Sequence, residues 1–357
     1  MHTLFSKLKG AIQGVFVHLA KLGGPRLFAR LADGYQEKKN TTGRRVFPFI
    51  KKRRVRTCQI LAYHRVNDEN DHFSPAISTN AFARQMEILK KRFTVCSLDR
   101  LLVGIQTGDL PENAVAVTFD DGYRDNYINA FPVLSRYSIP ATIFLATGAI
   151  GSSGMLLWHD RVFAALRKAE TPYLADLGPS LGTLPLGSLG EKLAAQKRIL
   201  NLLWSMDAQE RELAIQRLTD GLQVNGTNEI NGLMMSWEEV LKMHRNGIDF
   251  GAHTVTHPIL SRLSRECAGR EITESLKTIE ERLGSRVTSF AYPVGRKMDF
   301  DATTKSLLED AGCRCAVTMI FGNNETGADP YELRRITPWA ESADVFALRL
   351  SYYKFCS

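Results

Sequence analysis

Residues 114–123 read AVAVTFDDGY, and this stretch decides the fold. A run of apolar and β-branched residues is followed at once by Asp120 and Asp121 and then by Gly122, which is typical of a buried strand that ends in a turn. Two adjacent carboxylates repel each other unless a cation lies nearby. An Asp-Asp-Gly sequence is also common in simple turns, so the pair alone leaves a functional and a purely structural role open.

The same pattern, a short apolar run that ends in polar residues, recurs along the chain. Such runs precede His64, His253 and the pair Tyr292-Pro293. The predicted strands cover residues 58–63, 114–119, 141–146, 247–252, 287–291 and 313–320. Helical segments alternate with them, which predicts repeated β/α units and an α/β fold. Because barrels and open α/β sheets gather their active sites at the carboxyl ends of strands, we expect these polar residues to lie together.

The β/α pattern extends over residues 55–340 and is interrupted once. Between residues 151 and 232 the alternation disappears, and two segments there carry apolar residues at helical spacing: 192–204 and 208–222. Asp207, with Glu210 three residues later, predicts an N-terminal capping arrangement for the second of these helices. We therefore expect one barrel domain with a mainly helical insertion, and we assign residues 341–357 to a C-terminal tail.

The net charge of +8 is concentrated at the start of the chain. Residues 1–56 carry 14 Lys or Arg against two acidic residues, a net of +12, whereas the remainder carries 32 against 36, a net of −4. Because the body is mildly acidic, the composition argues against nucleic acid as a partner. The six cysteines lack the spacing of a zinc or disulfide framework, which indicates a reducing compartment. Cys313 and Cys315 fall on a strand-like alternating stretch, which indicates core-filling thiols there.

Residues 1–50 predict a basic amphipathic helix. Apolar residues recur every three or four positions from Leu4 to Leu22, with lysines among the intervening positions. The longest apolar stretch is too short and too polar for the roughly 20 residues that a membrane span requires, and a secretory signal is poorly matched. The helix either packs on its own domain or joins the basic residues up to position 56 in binding anionic lipid headgroups. We predict a cytoplasmic protein, which the second alternative would hold on the inner face of the membrane.

Two histidines, His253 and His257, follow a predicted strand. Pro258 disfavours helical geometry at His257, so we expect a loop there. Two neutral imidazoles and one carboxylate form a zinc ligand set that leaves a position open for water or substrate. The histidine spacing alone is a weak signal, but its combination with Asp120 and Asp121 favours a metal site.

These motifs resemble those of the polysaccharide deacetylases, the NodB-like members of carbohydrate esterase family 4. The resemblance runs from about residue 60 to residue 335 and includes the segment 118–122. It implies a distorted (β/α) barrel with seven parallel strands, and a divalent metal, usually zinc, as the cofactor. It also implies that Asp120 is the general base and that the metal ligands are Asp121, His253 and His257.

The segment 290–295 departs from the family's Arg-x-Pro-Tyr motif. Ala291 stands where the family has the arginine that orients the base, and Val294 stands where it has tyrosine. In the family a backbone N–H binds the oxyanion, and Val294 still provides one. The missing guanidinium must come from another arginine. Three candidates remain open: Arg296, Arg334 and Arg335. Of these, we place Arg335 in the candidate site.

His64 is the candidate for the acid that protonates the departing amine. No convincing Leu-x-His motif occurs near the C-terminus, where many relatives carry that histidine. The segment 61–66 instead resembles the first-strand motif of a branch that includes the poly-N-acetylglucosamine deacetylases, in which this histidine suits the acid role. A structural histidine at a strand end is the alternative. Four further residues are predicted to contact substrate: Tyr123, Trp158, Tyr292 and Pro293.

The predicted function is hydrolysis of the acetamide of an N-acetylated sugar, in a polysaccharide or a lipid-linked glycan of the cell surface. A water molecule activated by the metal would pass its proton to Asp120, the metal and the Val294 amide would stabilise the oxyanion, and His64 would protonate the amine. Two alternatives remain open. One is a catalytically silent carbohydrate-binding protein on the same fold, suggested by Ala291, and the other is a metal-dependent hydrolase of another small amide.

Overall fold

Seven strands pair in parallel, one beside the next, in the part of the chain that the structure describes. This computed structural model describes residues 56–151, 156–174, 181–224, 232–338 and 340–353. The strands are β1 (Thr57–Tyr63), β2 (Thr94–Val95), β3 (Ala114–Phe119), β4 (Ala141–Leu145), β5 (Tyr173–Leu174), β6 (Leu184–Pro185), β7 (Asp249–Ala252), β8 (Ser289–Ala291), β9 (Cys315–Phe321), β10 (Asn324–Glu325) and β11 (Leu333–Arg335).

The parallel sheet closes into a ring. Its order is β1-β3-β4-β7-β8-β9-β11, and Ile336, directly after β11, pairs back onto β1. The N–H of Ile336 donates to the carbonyl of Ile60 at 2.8 Å, and the N–H of Ala62 donates to the carbonyl of Ile336 at 3.0 Å. The short strands β2 and β10 pair with β3 and β1. The predicted barrel of seven β/α units is confirmed.

Six of these seven parallel strands begin and end within two residues of their predicted bounds. Their long apolar runs are buried on both faces, as in β3, where every residue is buried, and such runs identify strands of a parallel sheet. The seventh, β11, was missed. It has three residues, and two of them are arginines, so it presents no apolar run to detect.

The helices outside the barrel bury one apolar face each. They include α1 (Thr79–Arg92), α2 (Leu98–Thr107) and α3 (Phe131–Tyr137), then the insertion helices α4 (Trp158–Lys168), α5 (Leu189–Leu203) and α6 (Ala208–Gly221), and finally α7 (Trp237–Arg245), α8 (Arg265–Leu283), α9 (Ala302–Asp310) and α10 (Ala343–Tyr353). In α1, the side chains of Phe82, Met86 and Leu89 recur at helical spacing and are fully buried. Ser78 caps this helix by accepting the N–H of Ala81.

The predicted helical insertion forms a layer with its own core. Helices α5 and α6 cover the two predicted helical segments, and Asp207 and Glu210 form the predicted capping box. Strands β5 and β6 pair antiparallel within it. Ile199 and Ile215 are fully buried and belong to one apolar cluster with residues of α4. The insertion is therefore packed structure that stands beside the barrel mouth, since Trp158 of α4 lines the site described below.

The C-terminal segment 341–357, predicted as a tail, contains helix α10, which is packed on the barrel. Phe346 and Leu350 lie one helical turn apart and are each 1% exposed in the main core. The side chain of Gln59 in β1 donates to the carbonyl of Leu350 at 3.0 Å. The tail interpretation overlooked the apolar spacing of this helix, which buries one face.

Two other predictions concern the N-terminal segment and the cysteines. The predicted amphipathic helix within residues 1–50 lies outside the described residues. Over the described ranges, none of the helices combines the length and apolarity needed to cross a bilayer. Burial raises the pKa of Cys313 and Cys315, the predicted core-filling thiols, to about 12. The pKa of Cys58 is raised to about 12 by the same cause.

Candidate active site

The polar residues predicted at strand ends meet in one cleft at the carboxyl end of the barrel. His64 follows β1, Asp120 and Asp121 follow β3, His253 follows β7, and Val294 lies three residues beyond β8. All five line a cavity of about 280 Å³, which we call the catalytic cleft. This end is where barrel folds build their active sites, because the loops that follow the strands can vary without disturbing the core.

Asp121, His253 and His257 form a buried cluster suited to a divalent metal. Their ligating atoms all lie within 4.8 Å of one another, and the Nε2 atoms of His253 and His257 are 3.5 and 3.4 Å from Oδ1 of Asp121. That Oδ1 is buried without a hydrogen bond of ordinary geometry, which is costly unless a cation compensates it. Nδ1 of His253 lies 2.7 Å from the carbonyl of Ala291, and such a second contact orients a ligating imidazole.

Two of the three side chains of this cluster are in the protonation state that binds a metal. Burial acts to raise the pKa of Asp121, but the neighbouring His253 and His257 rings stabilise its charge, and the pKa lies below its ordinary range. Burial, reinforced by the charge of His253, lowers the pKa of His257 well below its ordinary value. The carboxylate of Asp121 and the neutral imidazole of His257 are the forms that bind a metal. Burial acts to lower the pKa of His253, but its contacts with Asp121 and Asp120 raise it above its ordinary value, so metal binding would displace a proton from that ring.

The loops that hold these side chains carry unusual backbone conformations. Asp121, Thr254, His257 and Val294 have φ angles of 73°, 69°, 58° and 60°, in the left-handed region that residues other than glycine rarely adopt. Val294 is β-branched, for which this conformation is most costly. Strain of this kind persists where the surrounding structure enforces it and clusters at functional sites.

Glu271 of α8 holds the histidine loop in place. Its carboxylate accepts the backbone N–H of Val255 at 2.7 Å and that of Thr256 at 3.0 Å, and the hydroxyl of Thr256 at 2.6 Å. Between the two histidines the loop is thus anchored by a charged acceptor, which forms stronger hydrogen bonds than a neutral one. Nothing in the sequence spacing pointed to Glu271, because the contact spans about fifteen residues.

Asp120 is held by a buried guanidinium from β11. Nη1 and Nη2 of Arg335 donate to Oδ1 and Oδ2 of Asp120, each at 2.7 Å. Arg335 also donates to the hydroxyl of Thr118 and to the carbonyl of Thr318, and it is 1% exposed. Burial acts to raise the pKa of Asp120, but the charge and hydrogen bonds of Arg335 lower it below its ordinary value. A guanidinium therefore contacts Asp120 although residue 291 is alanine.

The other two arginine candidates lie elsewhere. Arg296 donates to the carboxylate of Asp299 and packs over the ring of Trp204, 4.9 Å from its centroid. Arg334 is exposed, as expected when successive side chains of a strand point to opposite faces. Of the three, Arg335 is the one that contacts Asp120.

His64 lies beside Asp120 in the catalytic cleft. Its Nε2 is 3.8 Å from Oδ2 of Asp120, and its side chain is 35% exposed. Nδ1 is buried without a hydrogen bond. The ring is thus accessible from the cleft and close enough to exchange a proton with Asp120 through a small movement.

The predicted substrate residues divide into two groups. Tyr123 and Trp158 line the catalytic cleft; the Tyr123 hydroxyl bonds to His159 and Asp160, and Nε1 of Trp158 donates to the carbonyl of His257 at 3.2 Å. Tyr292 is 1% exposed, its ring stacks on Phe300, and its hydroxyl donates to the carbonyl of Tyr331. Pro293 is buried as well and lines no part of the cleft. Neither Tyr292 nor Pro293 is placed to contact substrate, because the turn after β8 directs both into the core.

The apolar wall of the cleft was not predicted in full. It consists of Phe73 and Pro75 from the loop after β1 and of Phe163, Leu200 and Trp204 from the insertion. Apolar spacing identified α5 as a helix but did not show which face meets the barrel mouth, and α4 was not among the predicted helical segments. The insertion thus supplies one side of the cleft.

Comparisons with known proteins place the chain in a family. A sequence profile described as polysaccharide deacetylase matches residues 107–316, more than half of the 357 residues. The chain belongs to the polysaccharide deacetylase family. The family match confirms the prediction that the chain is a hydrolase of the deacetylase type. The matched range, residues 107–316, does not include β1 and His64 or β11 and Arg335.

Relatives and solved structures agree with this family. The chain is 23% identical over 290 residues to the YxkH protein of Bacillus subtilis, itself named after the family, with 81% of this chain and 74% of that protein covered. It is 35% identical over 107 residues, 26% of this chain and 37% of the relative, to a poly-β-1,6-N-acetyl-D-glucosamine N-deacetylase of Staphylococcus epidermidis. IcaB from Ammonifex degensii superposes with a TM-score of 0.53 at 20% identity, covering 82% of this chain and 97% of that one. The deacetylase PplD of Streptococcus pyogenes gives 0.53 at 18% identity, covering 79% and 92%.

Proposed function

We propose that this protein is a metal-dependent deacetylase that hydrolyses the acetamide of N-acetylated sugars in a polysaccharide or a lipid-linked glycan. One observation carries the proposal: three metal-ligand side chains converge within 4.8 Å, directly beside an aspartate that a buried arginine holds in place. The partial match to a relative named as an N-deacetylase of poly-β-1,6-N-acetyl-D-glucosamine supports an N-acetylated sugar polymer as substrate.

Asp121, His253 and His257 would hold the metal, and zinc suits this donor set best. When bound, a divalent cation increases the acidity of water and withdraws electron density from a carbonyl oxygen. Burial keeps His257 neutral and the neighbouring rings keep Asp121 ionised, whereas His253, whose pKa is raised, would release a proton when the metal binds.

Asp120 takes the proton of the attacking water. Arg335 occupies one side of the carboxylate and fixes its orientation, and a fixed base needs no reorganisation during the reaction. Water adds to the acetyl carbon, and the negative charge moves to the carbonyl oxygen, where the N–H of Val294 donates to it. One such donor lowers the activation free energy by about 3 kcal/mol at typical oxyanion sites.

His64 supplies the proton that the leaving nitrogen needs. The C–N bond breaks as the imidazolium transfers its proton to nitrogen, so acetic acid and a neutral sugar amine are formed, and the acetic acid loses its proton to solvent. The proton gained by Asp120 then returns to His64 across the 3.8 Å that separates Oδ2 from Nε2. Each turnover thus consumes one water and restores both side chains.

The alternative of a catalytically silent carbohydrate-binding protein rested on Ala291. Arg335 provides a guanidinium to Asp120 from another strand, so that reason no longer applies. A hydrolase of another small amide would use the same reacting groups, and only substrates can separate it from a sugar deacetylase.

Mass spectrometry of N-acetylated glycans incubated with zinc-loaded protein tests the proposal, with loss of an acetyl unit and release of acetate as the expected result. Asp120→Asn should bind metal but turn over at least about 10²-fold more slowly, whereas Asp121→Ala, His253→Ala and His257→Ala should each lose metal. Full activity of Asp120→Asn would remove the assigned base, and a zinc-loaded protein without acetate release from any glycan would refute the function.

The basic segment 1–56 supports a further part of the proposal, that the enzyme works at the inner face of a membrane on a lipid-linked or nascent glycan. Its charge would attract anionic headgroups at about 1 kcal/mol for each basic residue near the surface. Deleting residues 1–50 should release the protein from vesicles that contain anionic lipid while sparing activity on soluble glycans. Equal sedimentation of the full and shortened chains with such vesicles would contradict this.

A further inference from the structure

The segment that carries His64 is held in place by the loop that follows β3. We call residues 64–67, which follow β1, the acid loop. The side-chain amide of Asn126 donates to the carbonyl of His64 at 2.8 Å, and Asn126 is fully buried. The amide of Asn129 donates to the carbonyl of Val66, also at 2.8 Å. Two asparagines three residues apart, on one face of a helical turn, thus bind two alternate carbonyls of the acid loop.

Asp125 completes this anchor by accepting four hydrogen bonds. Its carboxylate accepts the N–H of Val66 at 3.2 Å, the guanidinium of Arg65 at 2.8 Å and the amide of Asn67 at 2.8 Å. It also accepts the amide of Asn126 at 3.0 Å, which orients that amide. Hydrogen bonds to a carboxylate are stronger than those to a neutral acceptor, so the acid loop is firmly fixed.

The anchoring turn has an unusual backbone and an unpaired polar atom. Asn126–Ala130 forms a single turn of π-helix, a rare conformation that is frequently found at functional sites. The amide nitrogen of Asn126 faces two acceptors, whereas its Oδ1 is buried without a hydrogen bond to any described residue. An unpaired buried acceptor costs about 1–3 kcal/mol, which an apolar side chain of the same size would avoid. The two donated hydrogen bonds, rather than packing, are therefore what this side chain contributes.

The imidazole of His64 has no comparable support of its own. Within the described ranges, Nδ1 is buried without a hydrogen bond, and Nε2 lies 3.8 Å from Oδ2 of Asp120, beyond hydrogen-bond length. The N–H of Asp120 bonds to the carbonyl of Tyr63, and the next carbonyl, that of His64, is the one that Asn126 binds. The position of the ring therefore depends on the backbone of residue 64, which Asn126 holds where the sheet ends.

We propose that Asn126 is a positioning residue for the proton transfer to the leaving nitrogen. By holding the carbonyl of His64 it keeps the imidazole in the catalytic cleft beside Asp120, and Asp125 supports it by orienting its amide. This inference rests on the proposed function for the role of His64. Asn126 itself exchanges no proton and contacts no substrate. Misplacement of a catalytic group by about 1 Å can lower a rate about 10²-fold, so loss of the Asn126 amide should slow only the step that needs His64.

A double-mutant cycle on acetate release from an N-acetylated glycan tests this. Asn126→Ala should lower kcat by about 10–100-fold, with natural metal content and little change in KM. In a His64→Gln protein the same change should lower kcat by no more than about twofold, because the positioned group is already absent. Asn129→Ala is the matched control, since it removes a hydrogen bond of equal length from the same turn but leaves the carbonyl of His64 bound; its kcat should remain close to the natural value.

A substrate with an activated leaving group gives a readout that a general loss of structure would not produce. Hydrolysis of 4-nitrophenyl acetate releases a phenolate that needs no proton from His64. Asn126→Ala should therefore keep nearly the natural rate on this ester while it loses activity on the glycan. Equal losses on both substrates, or the full loss repeated in the His64→Gln protein, would overturn the inference.

Crystal structures separate this inference from the proposed function, because they require no turnover. In Asn126→Ala the ring of His64 should move away from Asp120 by about 1 Å or more, or occupy several orientations; an unmoved ring would refute the inference. If no glycan releases acetate but the ring moves, the function fails and the anchoring of His64 by Asn126 remains. Asp125→Asn keeps the side-chain volume and removes the charge, and it takes the place of Asn126→Ala in each experiment if that variant does not fold.

Discussion

Replacing Arg335 by methionine removes the charge that faces Asp120 and keeps most of the apolar stem. Both partners are almost completely buried, at 1% and 2% exposure, so solvent does not screen the carboxylate that remains. Removing one partner of a buried pair costs about 3–5 kcal/mol. Because the unfolding entropy of a chain of 357 residues is about 0.75 kcal/mol/K, at about 2.1 cal/mol/K for each residue, we expect Tm to fall by about 4–7 °C.

The stability lost in Arg335→Met should depend on pH in a defined direction. In the natural protein Arg335 keeps the pKa of Asp120 below its ordinary value, so the pair adds stability above about pH 4, the ordinary pKa of aspartate, and loses it as the pH falls further. Without Arg335, burial is opposed only by the charges of His253 and His64, so the pKa of Asp120 should rise. The destabilisation of Arg335→Met should therefore be largest at neutral pH and shrink towards pH 4, and the acidic limb of its kcat/KM profile should move to higher pH.

A double-mutant cycle completes the test. Asp120→Asn alone leaves a buried guanidinium partly unpaired, whereas Arg335→Met combined with Asp120→Asn removes both charges and should be more stable than the sum of the single losses predicts. Thermal unfolding at several pH values, with metal content measured in parallel, provides the readout. An Arg335→Met protein with the natural Tm and kcat, or strictly additive losses in the cycle, would refute this account of the pair.

Three further predictions concern groups around the site and the C-terminal helix. Glu271→Ala should weaken metal binding by about 10–100-fold in equilibrium dialysis, because the histidine loop loses its anchor, whereas Glu274→Ala on the same helix should not. His64→Gln should lower kcat by about 10²-fold or more at unchanged metal content, and an unchanged kcat would assign His64 a structural role. Phe346→Ala should cost about 3–5 kcal/mol of unfolding free energy; a cost below about 1 kcal/mol would mean that α10 contributes little to the core.

The sequence predicted the barrel and the centre of the candidate site because both depend on local patterns. Long apolar runs gave six strands, and the polar residues at their ends gave Asp120, Asp121, His253 and His257, which the structure brings together. Parallel strands that end at one edge make this convergence a consequence of the fold class. Residues at strand ends can thus be grouped before any distance is known.

The remaining parts depend on contacts between distant segments. Arg335 and Asp120 are 215 residues apart in sequence, and β11 is too short to be detected, so the choice among three arginines stayed open. Tyr292 stands beside the site in sequence, but its ring packs on Phe300 inside the core. The wall formed by Trp204 depends on how the insertion docks, which helical spacing does not reveal.

The seam of the barrel carries a consequence for how the chain acquires activity. Ile336 closes the ring onto β1, and its neighbour Arg335 fixes the orientation of Asp120. Both residues lie at the end of β11, the last strand of the sheet in sequence. A chain cut before residue 335 would contain all three proposed metal-ligand residues but would lack both the strand that closes the wall and the guanidinium that restrains the Asp120 carboxylate. Closure of the barrel and restraint of the base therefore depend on one short C-terminal strand.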